Sequence, residues 1–179
     1  MAAALTVVST TVMAQTSYPW MDTSKSFRER AELLCRELTL REKVDQLGNN
    51  ISEPIKRDGQ VILPSYQYWN EALHGVARSG AATSFPESKG MSATWDEMLV
   101  RACAEAISDE ARIYHETKGK GLNYWSPTIN MARDPRWGRE EENYGEDPLL
   151  AGRLAVEFIK GFQGEITPAT PYYKLVACA

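Results

Sequence analysis

The chain has 179 residues, of which 43% are hydrophobic and 25% charged, a balance that excludes a disordered chain and predicts one globular domain with a buried core. The net charge is −4 and the Lys and Arg residues form no basic run, which argues against a nucleic-acid partner and favours a neutral one. The three cysteines lie outside any Cys-x-x-Cys spacing and there are only two histidines, so a zinc site is not predicted.

The first 14 residues, MAAALTVVSTTVMA, carry no charge and are too few to cross a membrane. Val12 and Ala14 occupy the small-residue positions that signal peptidase reads before Gln15. Because a basic start is lacking, we interpret residues 1–14 as a partial signal peptide, followed by an N-terminal extension over residues 15–26. Export to the periplasm or the cell exterior is therefore predicted; the alternative is an unstructured terminus without a targeting role.

The first predicted elements are helical. Residues 27–38 have helical spacing, and TLRE at residues 39–42 is a capping box that opens a short helix ending at Gly48. The stretch NISEPIKRDGQVILPS is predicted to be a loop. A strand ending near Trp69 follows, so that Asn70, Glu71 and His74 come just beyond its C-terminal end.

A second capping box, TWDE at residues 94–97, is predicted to start the longest helix, which Gly119 and Gly121 end. Its apolar residues recur at helical spacing and are predicted to form one buried face. They are Leu99, Ala102, Cys103, Ala106, Ile107, Ile113 and Tyr114.

An extended segment, LNYWSPTINM, comes next, and then the charged loop RDPRWGREEENYGED at residues 133–147. Asp147 is the predicted N-cap of a further helix and Pro148 its first-turn residue. The predicted buried stripe of that helix comprises Leu150, Leu154, Phe158, Ile159 and Phe162. The final YYKLVACA is typical of a parallel strand covered on both faces.

Strands that alternate with helices predict a parallel sheet built from βαβ units. Only three strands are readable and a closed barrel needs about 250 residues, so we expect the N-terminal part of a larger α/β protein. WNEALHG at residues 69–75 and the charged loop both follow strands and precede helices. Loops after parallel strands share one rim, so we expect the two loops to converge there.

From Leu38 onward the chain resembles the N-terminal barrel domain of glycoside hydrolase family 3. The resemblance is carried in order and spacing by LTLREKVDQL, YWNEALHGVAR, ATSFPESKGMSATWD, YWSPTINMARDPRWGREEENYGEDPLLAGRLAVEFIKGFQG and VACA. It implies an α/β fold in which residues 27–179 form the N-terminal portion of a (β/α)₈ TIM-like barrel, incomplete in this chain. Glu140, Glu141 and the pair Ser88-Lys89 depart from the family's usual residues.

The resemblance implies a retaining exo-β-glycosidase, most consistent with a xylan 1,4-β-xylosidase acting on xylo-oligosaccharides. The family's nucleophilic Asp follows a later barrel strand and its acid/base Glu comes from a second domain, so no residue of this chain is predicted to be catalytic. No metal or organic cofactor is implied, because the chemistry needs two carboxylates and water. The implied partners are a small oligosaccharide and the remainder of the protein's own chain, without nucleic acid or membrane, and the isolated chain is expected to be inactive and poorly folded.

What the resemblance carries over is sugar binding. Arg139 matches the last Arg of the family's DPRWGR motif, which reaches the hydroxyls of the terminal sugar. Glu71 matches an acidic position that is usually Asp in β-glucosidases, and its extra methylene occupies space that a hexose hydroxymethyl group would need. Trp69 and Trp125 resemble aromatic residues that wall the same subsite. These four residues are the predicted substrate-binding site.

Other residues near these motifs are interpreted as structural. Arg136 is expected to brace its loop by pairing with an acidic neighbour, Glu142 to brace the arginines, and His74 to hydrogen bond to the backbone. Trp137 and Tyr144 either stack on sugar or hold the loop by packing. The alternatives for function are a β-glucosidase, an enzyme that also takes arabinosides, and a non-catalytic sugar-binding barrel.

Overall fold

The structure is a computed structural model that describes residues 18–179, so the predicted partial signal peptide lies outside the described residues. The chain divides into two compact units, of which the first ends at Gln46 and the second is Leu47–Ala179. Among the described helices, none combines the length and the apolar character that a membrane span requires.

The first unit is helical, as predicted. Its elements are a 3₁₀ turn at Pro19–Met21, helix α1 at Phe27–Glu37 and helix α2 at Leu40–Asp45. Both helices begin with a capping box, in which Ser26 pairs with Glu29 and Thr39 with Glu42. Each box satisfies backbone N–H groups that the helix cannot pair internally. Helix α2 ends at Asp45, before the predicted end at Gly48.

The second unit opens with short antiparallel strands where the sequence predicted a loop. They are β1 at Ile51–Ser52, β2 at Ile55–Arg57, β3 at Gln60–Leu63 and β4 at Tyr66–Gln67. Strands β2 and β3 form a hairpin around Asp58 and Gly59, whose φ angles of 47° and 80° are those that a type I′ turn requires. The loop prediction was therefore wrong, and the Asp-Gly pair was its overlooked signal.

The predicted strand ending near Trp69 needs a similar correction. Strand β4 ends at Gln67 and pairs antiparallel with β1. The backbone after it nevertheless runs beside strand β5, Asn123–Tyr124, because Trp125 N donates to Asn70 O at 2.9 Å and Asn70 Nδ2 donates to Asn123 O at 2.8 Å. On its other side β5 pairs in parallel with strand β6, Val176–Ala177. The segment after β4, strand β5 and strand β6 therefore lie side by side in the order in which they occur in the chain. Side-chain amides supply part of the hydrogen bonding between the first two.

Three helices cover this second unit: α3 at Ser88–Ser92, α4 at Glu97–Lys118 and α5 at Pro148–Gln163. The capping box predicted at residues 94–97 is wrong. Asp96 caps α4 by accepting from Met98 N and Leu99 N, whereas the Thr94 hydroxyl donates to Met91 O. The predicted cap at Asp147 and first-turn Pro148 are confirmed, as is the left-handed Gly119 that ends α4.

The buried face of α4 only partly matches the predicted one. Ile107 is fully buried and Cys103 and Tyr114 pack against the core, as predicted, whereas Leu99 and Ile113 are exposed. The residues that α4 buries are Val100, Ala104, Ile107, Ser108 and Ala111. Helix α5 packs on this face, and its Gly161 is required there because a Cβ would lie 2.4 Å from the carbonyl oxygen of Arg101.

The stripe of α5 is close to the prediction, since Leu154, Phe158 and Phe162 are fully buried and Leu150 and Ile159 partly so. The C-terminal strand is less covered than predicted. Only Leu175 is buried in this segment, while Tyr172 and Val176 are exposed.

Candidate functional site

An open cleft of about 550 Å³ in the second unit brings the four predicted site residues together. The residues that line it are Asn49, Trp69, Glu71, Leu73, His74, Gly75, Ala77, Arg78, Glu87, Trp125, Arg139, Glu141 and Glu142. Apart from Asn49, which precedes β1, they come from the segment after β4, the segment after β5 and the charged loop, so the predicted convergence of the two loops is observed. We call residues 69–78 the first site loop and residues 133–147 the second site loop.

Glu71 lies in the first site loop, and its carboxylate is one-third exposed. Its Oε2 accepts a hydrogen bond from Arg78 Nε at 2.6 Å. The guanidinium of Arg78 also covers the ring of Trp69, with Cζ 4.9 Å from the ring centroid. A cation over an indole face is attracted by the ring quadrupole, so Glu71, Arg78 and Trp69 form one contact chain along the cleft wall.

The second aromatic wall of the cleft is Trp125, which is 42% exposed. Its ring centroid lies 6.4 Å from that of Trp69, and the two planes are inclined at 51°. The backbone N–H that Trp125 donates to Asn70 O fixes its main chain beside the first site loop. Two inclined indole rings offer an apolar corner into which the faces of a sugar ring can pack.

Arg139 enters the cleft from the second site loop. Its Nε donates to both carboxylate oxygens of Glu142 at 2.9 Å, and its Nη2 donates to Oε2 at 2.5 Å. These hydrogen bonds raise the pKa of Arg139, so the guanidinium stays charged and Glu142 orients it, as the sequence suggested. The other terminal nitrogen of this fork remains available for ligand hydroxyl groups.

Arg136, Asn143 and Tyr144 of the second site loop do not line the cleft. Arg136 pairs with Asp134 through two hydrogen bonds of 2.9 and 2.6 Å, which matches the predicted bracing and lowers the pKa of the Asp134 carboxyl. Tyr144 is buried in the hydrophobic core, which favours packing over sugar stacking for this residue. Asn143 is also buried and donates to Glu140 O at 2.7 Å. Buried neutral side chains thus anchor a loop whose surface is charged.

The two departures from the family pattern contact each other. Lys89 Nζ lies 3.0 Å from Glu140 Oε1, and this ion pair joins α3 to the 3₁₀ turn Glu140–Glu142. No sequence signal linked these residues, because 51 positions separate them. Arg78 was missed as well, although the block YWNEALHGVAR contains it.

His74 contacts the backbone, as predicted: its Nδ1 lies 2.9 Å from Phe85 O. Its Nε2 lies 2.9 Å from Glu87 Oε1, which places a second polar pair at the cleft wall. Among residues 18–179, no group of three or more His, Cys, Asp or Glu side chains is arranged to hold a metal ion. The cleft therefore combines four carboxylates, two guanidinium groups, one imidazole and two indoles, a set suited to a neutral ligand with many hydroxyl groups.

Comparison with known proteins gives a family match. Residues 34–177 match the profile of the glycosyl hydrolase family 3 N-terminal domain. The beta-xylosidase/alpha-L-arabinofuranosidase 1 of Medicago sativa subsp. varia is 40% identical over 172 residues, which are 90% of this chain and 22% of that protein.

Two solved structures are also similar. A GH3 exo-beta-xylosidase in complex with a xylobiose aziridine probe has a TM-score of 0.75 at 36% identity, covering 89% of this chain and 21% of that one. A beta-glucosidase involved in saponin metabolism, from intestinal bacteria, has a TM-score of 0.52 at 31% identity, covering 74% of this chain and 15% of that one. These matches confirm the predicted fold class, the N-terminal portion of a TIM-like α/β barrel, and the chain spans about a fifth of the length of the relatives it matches.

Proposed function

We propose that this chain, which belongs to glycosyl hydrolase family 3, forms the terminal-sugar subsite of a retaining exo-β-xylosidase acting on xylo-oligosaccharides. The main support is the convergence of Trp69, Glu71, Trp125 and Arg139 on one cleft. The plant relative and the exo-beta-xylosidase structure, both named for β-xylosidase activity, support the same substrate class.

In this proposal the cleft binds and orients the sugar. The charged fork of Arg139 donates to neighbouring hydroxyl groups, the carboxylate of Glu71 accepts from others, and the two indoles pack against the ring. Retaining hydrolysis needs a nucleophilic carboxylate and an acid/base carboxylate about 5 Å apart across the glycosidic bond. We assign neither role to a carboxylate of this chain.

Glu71 is proposed to select pentosides over hexosides. Xylose has no hydroxymethyl group, and a Glu reaches about one methylene further into the cleft than an Asp would. Arg78 and the first site loop limit how far the Glu71 side chain can move aside. Steric exclusion of this kind discriminates more strongly than loss of an apolar contact.

The test is Glu71→Asp in the full-length protein that contains this chain, with kcat/KM measured on an aryl β-xyloside and an aryl β-glucoside. We expect the wild type to prefer the xyloside and the variant to shift the ratio about tenfold toward the glucoside. Glu116→Asp on the exposed end of α4 is the control for shortening a carboxylate, and it should leave the ratio unchanged. An unshifted ratio in Glu71→Asp would refute the steric role.

A second candidate is a β-glucosidase of the same family, favoured by the similarity to the beta-glucosidase structure. The name of the plant relative adds arabinosides as a further substrate class. A wild type that prefers the glucoside would favour this candidate. Sugar binding without turnover of any of the three glycosides would instead indicate a non-catalytic barrel.

We also propose that the protein is exported. The support is the uncharged segment at residues 1–14 with small residues before Gln15. N-terminal sequencing of the protein recovered from its native host is the test. A mature chain that begins at Gln15 is expected, and an intact segment on the mature protein would contradict export by this leader.

A further inference from the structure

Among the described residues, the side chain of Arg78 makes one hydrogen bond and one ring contact, and both lie in the cleft. Its Nε donates to Glu71 Oε2 at 2.6 Å, and its guanidinium lies over the ring of Trp69 at 4.9 Å. Within residues 18–179, its two terminal nitrogens make no hydrogen bond with the protein. The side chain is 66% exposed, so neither contact reflects burial in a core.

The backbone at Arg78 has an unusual conformation. Its φ is +59°, in the left-handed region that a residue with a Cβ rarely adopts. A hydrogen bond from Ala77 N to Glu71 O, 2.9 Å long, closes the first site loop on the residue before it. This closure brings residue 78 back beside Glu71 and Trp69, which precede it by seven and nine positions. The conformation costs free energy locally, and strain of this kind is concentrated at ligand sites.

We infer that Arg78 is a positioning residue for sugar binding, which fixes the carboxylate of Glu71 and the ring of Trp69 in one arrangement. The inference rests on the proposed function, because it assigns Arg78 a role in sugar binding within the same cleft. Arg78 covers one face of Trp69, so a sugar ring meets the indole on its remaining face. It also binds Oε2 of Glu71 and leaves Oε1 for ligand hydroxyl groups.

An exposed ion pair is by itself a weak constraint, and an isolated one contributes little to stability. The contact with Trp69 changes this expectation, because the planar guanidinium is held by two partners at once. A lysine could keep the charge but would lose both the directional Nε–H and the flat surface that stacks on an indole. Fixing Glu71 and covering Trp69 therefore depend on the planar geometry of the Arg78 guanidinium and not only on its charge.

The test uses the full-length protein and the variants Arg78→Gly and Arg78→Lys, each with and without Glu71→Gln. Glycine suits a left-handed φ, so Arg78→Gly removes the side chain without adding backbone strain. We expect kcat/KM on an aryl β-xyloside to fall about tenfold in Arg78→Gly and by an intermediate factor in Arg78→Lys. In the Glu71→Gln background, the further fall should be clearly smaller than tenfold, because the carboxylate that Arg78 orients is gone and only the contact with Trp69 remains to be lost.

Thermal unfolding and a matched control separate this role from a merely structural one. The melting temperature of Arg78→Gly should stay within about 2 °C of the wild type. Arg28→Ala removes a more exposed Arg–Glu pair outside the cleft, with Glu32 at 3.0 Å, and should leave kcat/KM unchanged. If the wild type is active, two results would overturn the inference. One is an unchanged kcat/KM in Arg78→Gly, and the other is a double variant whose fall in kcat/KM equals the product of the falls in the two single variants. A wild type that neither binds xylose nor turns over any aryl glycoside would overturn the proposed function and this inference with it.

Discussion

The helix layer and the cleft rim of the second unit are built from opposite kinds of residue. The facing sides of α4 and α5 are apolar, and Ile107, Leu154 and Phe158 have no exposed surface. At the rim, the side chains of Arg78 and Arg139 are 66% and 61% exposed, and each pairs with a glutamate. Stability is concentrated in the layer and the proposed sugar binding at the rim, so substitutions should separate the two properties.

The largest expected effect is on the layer. Phe158→Ala should lower the free energy of unfolding by about 3–5 kcal/mol, because it leaves a cavity beside Phe162, whose ring centroid lies 5.4 Å away. Denaturant unfolding measures the change. Val156→Ala, half exposed on the same helix, is the control and should change the free energy by less than about 1 kcal/mol. Equal losses in the two variants would mean that α5 is not packed as described.

The next effect is alkaline unfolding. Burial raises the pKa of Tyr124 from 10.0 to about 12. Because the folded state holds this proton more tightly than the unfolded state, the raised pKa stabilises the folded state in full below pH 10. This stabilisation, up to roughly 3 kcal/mol, is lost as pH rises from 10 through 12. Tyr124→Phe should therefore show a smaller loss of stability over that interval, as measured by urea unfolding at each pH. An unchanged slope would contradict the burial of the hydroxyl.

At the rim, Arg139→Ala in the full-length protein that contains this chain should lower kcat/KM on an aryl β-xyloside about 10- to 100-fold, because the proposed charged hydrogen bond to substrate is lost. Its melting temperature should change little, because an exposed ion pair contributes little to stability. Steady-state kinetics and thermal unfolding on the same preparation provide the comparison. A large fall in melting temperature without loss of activity would reverse the roles of layer and rim.

The smallest effect is expected for the ion pair between Lys89 and Glu140, which is partly exposed. A double-mutant cycle with Lys89→Met and Glu140→Gln should give a coupling free energy of about 0.2–1 kcal/mol, from denaturant unfolding of the four proteins. A coupling well above that range would show that this pair, and not buried Asn143 and Tyr144, anchors the second site loop.

Much of the fold was predictable where the signal is local. The box at Thr39, the cap at Asp147 and the helix end at Gly119 all act on backbone groups within a few positions, and sequence alone can show such a partner. The cap of α4 was misplaced at Thr94 because Thr94 and Asp96 are both good capping residues. Which of them caps the helix depends on the path of the preceding turn, where Trp95 has φ +56°.

Two further errors concern long-range contacts. The apolar residues of α4 are numerous enough to permit two neighbouring buried faces, and the position of α5 against Gly161 selects the one with Val100 and Ala104. Arg78 could not be assigned to the site from its position, because its contacts depend on how the first site loop closes.

The sequence by itself determined the helices α1, α2, α4 and α5 and the family resemblance, and it predicted four subsite residues that line one cleft, because capping signals and motif blocks lie within contiguous stretches of chain. The tertiary structure alone decided that Arg78 lies over Trp69, that Lys89 pairs with Glu140 and that β5 lies between the first site loop and β6. These contacts join segments whose proximity depends on backbone path and packing, which no local pattern of residues specifies.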